Sequence, residues 1–262
     1  MKRVFFGILF VAAIVIGGVA LIWNQPAPQR LAPAAPADEV AERRVEPSIT
    51  YPLPDPGPTA AELPVLDKSD DALLSALSGI QRKLGDMLIP ERLVRNIVVT
   101  VDNLPREYVA ARMRPVKPVA DSFRVSKDGQ TLRISVANAR RYETPVRIFE
   151  SLDPEPLVGT YVRFYPLFQQ AYRELGYPQG YFNDRLIAVI DHLLDAPEID
   201  AGAELVQPRV LYEFADPELQ HASAGQKIMM RIGADNAKRV KAQLKRIRSE
   251  LIAVSERTRD AS

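Results

Sequence analysis

Apolar residues recur at steps of three and four near residues 69–85, 90–103, 140–151, 154–175, 182–195, 217–232 and 235–257, a spacing that predicts amphipathic helices. Start signals agree with it. Ser69 stands before Asp70 and Asp71, Asp153 before Pro154 and Glu155, and Asp216 before Pro217 and Glu218, each a cap residue leading an acidic or proline first turn. The period changes once. Phe123 and Val125, the turn pair Asp128 and Gly129, then Leu132, Ile134 and Val136 in alternation with polar residues predict a hairpin, with a third strand expected at Val210, Tyr212 and Phe214. The fold class is mainly α with a small antiparallel β element, α+β. No internal repeat is found, which argues against a solenoid.

A different pattern occupies the N-terminus. Val4 to Trp23 holds 20 residues without a charge, and a helix of that length spans the roughly 30 Å hydrocarbon core of a bilayer. We expect one N-terminal transmembrane helix. Lys2 and Arg3 precede it and the next charge is Arg30, so residues 1–3 form a cytoplasmic tip and everything beyond Trp23 lies outside. Ala13 and Gly17 have the four-residue spacing of close helix packing. Residues 24–62 read as a disordered stalk, because the nine prolines between Asn24 and Ala60 favour extended conformations and bury little apolar surface. The soluble helical domain is then 63–258, with a short tail at 259–262.

Charge changes the picture little. The formal net charge is +1, with +2 in residues 1–23, −2 in 24–60 and +1 in 61–262, so no global field draws the domain to nucleic acid or anionic lipid. The absence of cysteine excludes disulfides, thiolate metal sites, cysteine nucleophiles and lipidation of a cysteine.

Candidate chemistry is sparse. Asp184, Asp191 and Asp195, with His192, share roughly one helix face, a pattern open to hard-cation binding or to the polar side of a helix packed through Leu186, Ile190, Leu193 and Leu194. The HASAG run echoes a hydrolase elbow, but glycine is missing at His221, and Ser223 with Gln226 three residues later reads as a capping box. Eight of the domain's fourteen Phe and Tyr residues fall between Tyr161 and Phe182. Tyr161, Phe164, Phe168 and Tyr172 follow a helical face, and Pro166 is expected to kink or break that helix, so the ring cluster is either core or a groove. Ligand-facing candidates are Tyr161, Tyr165, Tyr172, Tyr177, Tyr181, Asp184 and Asp191. In the last helix Ala237, Val240, Leu244, Ile247, Leu251 and Val254 form an apolar seam, while Lys238, Lys241, Lys245 and Arg248 form a basic surface open to lipid or nucleic-acid phosphate. No catalytic residue, metal site or cofactor is assigned.

Five segments carry a resemblance: VTVDNLPR from Val99, FYPLFQQAYRELGYP from Phe164, YFNDRLIAVIDHLL from Tyr181, LYEFADPEL from Leu211 and SAGQKIMMRIG from Ser223. Together they resemble the domain of unknown function 3014 family of Gram-negative envelope proteins, over roughly residues 63–250. The resemblance implies a membrane-anchored protein with a periplasmic domain and transfers no catalytic residues. The function expected is a non-catalytic binding or scaffold module of the envelope, held in the inner membrane and partnered by another envelope protein or by itself. The alternatives are an acid/base hydrolase of a cell-wall polymer working through Asp184, Asp191 and Tyr181, and a lipid or nucleic-acid contact through the last helix, nucleic acid being the less expected partner.

Overall fold

A computed structural model describes residues 48–55, 63–199 and 202–261. In chain order these form α1 (Asp70–Ile80), α2 (Arg82–Met87), α3 (Leu93–Asn103), β1 (Val125–Asp128), β2 (Thr131–Ile134), α4 (Val136–Arg140), α5 (Glu143–Glu150), α6 (Pro154–Glu174), α7 (Phe182–Leu194), β3 (Glu204–Val206), β4 (Glu213–Phe214), α8 (Pro217–His221), α9 (Ala224–Arg231) and α10 (Ala234–Asp260). The protein is mainly helical with a four-stranded antiparallel sheet in the order β1-β2-β3-β4. Among the described residues no helix is long and apolar enough to cross a membrane. The apolar stretch Val4–Trp23 lies outside them.

Caps set several boundaries. Asp153 accepts a hydrogen bond from the Glu155 amide with Pro154 in the first turn of α6, and Asp216 does the same for Glu218 at the start of α8. Two of the expected helices, 69–85 and 217–232, are each two, and a short helix begins where the hairpin was expected to end. Gln81 adopts an extended backbone between α1 and α2, a turn that buries Leu73, Leu77 and Leu84 in one core. The Ser135 hydroxyl accepts from the Ala137 amide, which makes Val136 the first residue of α4 rather than the last of a strand. Ser223 and Gln226 form a complete capping box that separates α9 from α8. Pro166 does not break α6, which runs unbroken from Pro154 to Glu174. An interior proline costs about 3 kcal/mol, but Phe164, Tyr165, Leu167 and Phe168 around it are all buried, and each such side chain contributes about 1.5–3 kcal/mol.

The helical core is built by α3 against α6, with α10 crossing α5, α6 and α7 through Val240, Leu244, Ile247 and Leu251. A separate small core lies under the sheet, where Ile134, Leu205, Phe214 and Met230 are buried. Leu132 pairs with Leu205, and Leu205 with Phe214, so one sheet face is apolar. The expected third strand is β4, reached at Glu213; Val210 is 85% exposed in the loop before it, and β3 was not anticipated.

Candidate functional site

The first turn of α7 holds a segment that the sequence reading assigns to the stalk. Asp184 accepts the Thr50 amide on Oδ2 and the Tyr51 amide on Oδ1, both at 2.8 Å. Asn183 Nδ2 donates to the Tyr51 carbonyl at 2.8 Å, and the Leu53 amide donates to the Tyr181 hydroxyl at 2.9 Å. Pro52, which has no amide hydrogen, lies between them. The Leu53 side chain is buried. Residues 48–55 are thus a strap held mainly by its main chain, so its direction and register follow from where three neighbouring side chains stand. At its end Pro54 and Asp55 reach the last turns of α10, beside Val254, Arg257 and Thr258.

Behind the strap the tyrosines are core. Tyr161 is 2% exposed, and Tyr165 and Tyr172 are also buried. Tyr161 packs 5.5 Å from the rings of both Tyr165 and Phe168. Burial raises the Tyr161 phenol well above its ordinary pKa, and its hydroxyl has no hydrogen-bond partner among the described residues. The Tyr165 hydroxyl donates to Gln169 Oε1 at 2.8 Å, and Gln169 also accepts the Phe182 amide and donates to the Gly180 carbonyl. This network sets where α7 begins. Tyr172 stacks on Tyr177 with ring centroids 4.6 Å apart.

Tyr177 leads to a group that sequence spacing did not pick out. Asp102, 3% exposed near the end of α3, accepts on Oδ2 from Arg106 Nη2 at 2.7 Å and from the Tyr177 hydroxyl at 3.1 Å, and on Oδ1 from Arg185 Nε at 2.9 Å. Arg185 Nη2 also donates to the Asp102 carbonyl at 2.7 Å, and the nearby Asp102 charge raises the Arg106 pKa above its ordinary value. The chain after Asp102 then receives the start of α9: the Leu104 carbonyl accepts the Gly225 amide at 2.9 Å, and the Arg106 carbonyl accepts the Ala224 amide at 2.7 Å. A side chain at Gly225 would stand 2.6 Å from Leu193 Cδ2 and 3.0 Å from the Leu104 carbonyl oxygen, so even alanine there would push Leu193 and strain the Leu104 contact. His192 Nε2 lies 2.7 Å from Ser223 Oγ, the same oxygen that accepts the Gln226 amide, which ties α7 to the α9 cap.

The model of the family described as Protein of unknown function (DUF3014) matches residues 93–248 of this chain. The chain belongs to the DUF3014 family. No curated protein and no solved structure matches it. The matched range runs from the first residue of α3 to Arg248 in α10, so Asp102, Arg106, Tyr177, Arg185, Ser223 and Gly225 all lie in the DUF3014 region. Tyr181, Asn183 and Asp184 lie in it too, whereas the strap they hold lies outside.

The remaining candidates are dispersed. Asp191 forms a two-pronged ion pair with Arg248, with Nη2 to Oδ2 at 3.0 Å. Lys241 Nζ donates to the Ala196 carbonyl at 2.7 Å. Lys238 and Lys245 are exposed. Asp184, Asp191 and Asp195 do not converge, and among the described residues no group of three potential metal ligands does.

A second buried ion sits in the small core under the sheet. Arg231, 7% exposed, lies 5.2 Å from the Phe214 ring centroid and 5.9 Å from that of Phe123. Its Nη2 makes a hydrogen bond of 3.3 Å to the Tyr212 carbonyl, and its Nε has no partner among the described residues. Burial pushes the guanidinium down to about 10, offset in part by Tyr142 and Glu213.

Proposed function

We propose that this DUF3014 protein is a non-catalytic binding or scaffold module of the cell envelope, carried on a single inner-membrane helix at Val4–Trp23 with its folded domain in the periplasm. The observation that carries this reading is the strap. Its docking onto Tyr181, Asn183 and Asp184 joins the proline-rich stretch to the domain at a defined place and direction. A domain fixed in that way presents the same face outward from its spacer, which a binding module needs and a freely pivoting one lacks.

The hydrolase reading is less favoured. Asp184 is engaged by two amides and Asp191 by Arg248, so neither carboxylate is placed to move a proton to a polymer. A phosphate contact along α10 would rely on Lys238 and Lys245, since Lys241 and Arg248 have partners within the fold. Crosslinking in cells from a photoreactive residue at position 245 of the full chain tests the proposal. A discrete envelope protein, or a second copy, in the membrane fraction supports it. The proposal fails if the full chain is recovered outside the membrane fraction, or if Asp184→Asn and Asp191→Asn variants keep their fold but lose turnover of a wall polymer.

A further inference from the structure

The start of α7 meets the strap as a protein meets a bound peptide. Two successive amides, of Thr50 and Tyr51, enter the Asp184 carboxylate, the Tyr51 carbonyl meets Asn183 Nδ2, and the Leu53 amide meets the Tyr181 hydroxyl. Pro52 presents no amide to be satisfied. Main-chain bonds of this kind hold any extended chain, whereas the buried Leu53 side chain and the Tyr51 ring packed against the helical core favour this sequence. The receiving side chains lie in the DUF3014 region and the strap outside it.

The strap is held by a small margin. Of residues 48–55 only Leu53 is buried, and Ile49 is 53% exposed. Ordering a segment of that length costs backbone entropy of the same order as its hydrogen bonds and one apolar side chain return. Its release leaves the core behind it intact, because Tyr161, Tyr165 and Gln169 are held by contacts of their own. Residues 56–62 join the strap to Leu63, which packs against the core. Those 7 residues span at most roughly 25 Å, so a released strap reaches the α7 of an adjoining copy while the domain stays folded. The exchange replaces each contact by an identical one, a low-cost route to a dimer. The segment seen to fit this site is the chain's own, so a second copy is the occupant that the contacts specify.

We propose that Tyr181, Asn183 and Asp184 form a binding site for an extended Thr-Tyr-Pro-Leu segment and take that segment from a second copy of the chain, each strap docking on the other's α7. This deepens the scaffold reading by naming its partner, and rests on it for the strap's attachment to α7; the membrane helix plays no part.

Two full-length variants broken on opposite sides of the contact test it. Asp184→Ala keeps the strap and loses the site, and Leu53→Asp keeps the site and loses the strap. By sedimentation, the equimolar mixture is expected to associate at least about tenfold more tightly than either variant alone, because only the mixture holds an intact strap and an intact site, in different chains. Thr50→Pro, which removes one amide from an exposed residue, and Tyr181→Phe, which removes one acceptor, form a second pair that spares the core and should complement in the same direction. A synthetic peptide of residues 48–55 should dissociate the mixed dimer, and the same residues in reversed order should not. The proposal is overturned if neither folded pair associates beyond its separate members, or if the two peptides act alike. A discrete envelope protein crosslinked at position 245 would then still support the scaffold reading, so the two fail separately.

Discussion

Two buried ions in this domain are treated in opposite ways. Asp102 lies between helices and receives three side-chain donors, two of them cationic, so its charge is matched on both oxygens. Arg231 lies beneath the sheet with two ring faces, one long hydrogen bond and an unpartnered Nε. The difference shows what each ion does for the fold. A buried charge with its partners in place acts as a joint, and removing one member strands the others. A buried charge without them adds little stability and can be replaced by an apolar side chain at small cost.

The strongest way to break this comparison is Asp102→Ala. It leaves Arg106, Arg185 and Tyr177 without their shared acceptor, and since the two arginine side chains are 53% and 29% exposed, the lower end of the buried-pair range applies, about 3 kcal/mol. A urea midpoint corresponding to a loss under about 1 kcal/mol would show that the joint does not hold the helices together. Asp184→Ala should cost less, about 1–2 kcal/mol, because the amides of Thr50 and Tyr51 can turn to water once released. Faster hydrogen exchange at those two amides, with the α6 and α10 core unchanged, is the expected signature; equal exchange would remove the strap from the account.

The His192–Ser223 contact adds a pH dependence where α7 meets the α9 cap. Burial lowers the His192 pKa below 6.5, Arg185 adds to the effect and Asp195 opposes it. The unfolded chain therefore binds the proton more readily, so this contribution is complete above about pH 6.5 and declines as the pH falls below that value towards the folded pKa. Urea midpoints at about pH 5.5 and pH 7.5 should differ more in the unaltered protein than in His192→Gln. Arg231→Met is expected to have the smallest effect, within about 1 kcal/mol of the unaltered protein, because an apolar chain of similar length replaces an unpaired ion. A loss as large as that of Asp102→Ala would erase the contrast and show that Arg231 holds the fold as Asp102 does.

Local signals read well from the sequence. Helix starts at Asp153, Asp216 and Ser223 follow from cap chemistry within four residues, and the β1–β2 hairpin follows from alternation around Asp128 and Gly129. Breaks inside helical patterns read poorly. Gln81 carries no strong breaker, and the chain turns there because Leu77 and Leu84 on either side of it must meet one core. Pro166 carries a strong breaker signal that packing overrode. Asp184 and Tyr181 accept hydrogen bonds from the chain's own residues 50–53, more than 120 positions away, a pairing that no local spacing records. Asp102 and Arg231 had no local signal, since an aspartate in a helix and an arginine at a helix end look like surface residues until their surroundings are known.

The sequence by itself determined the helical character, the hairpin, the caps and the family, because each depends on residues within a few positions of one another or on long contiguous motifs. Only the tertiary structure decided which charges are buried, which of them have partners, and that a segment reading as stalk lies against α7. Those outcomes depend on contacts between distant segments, whose geometry no local periodicity records.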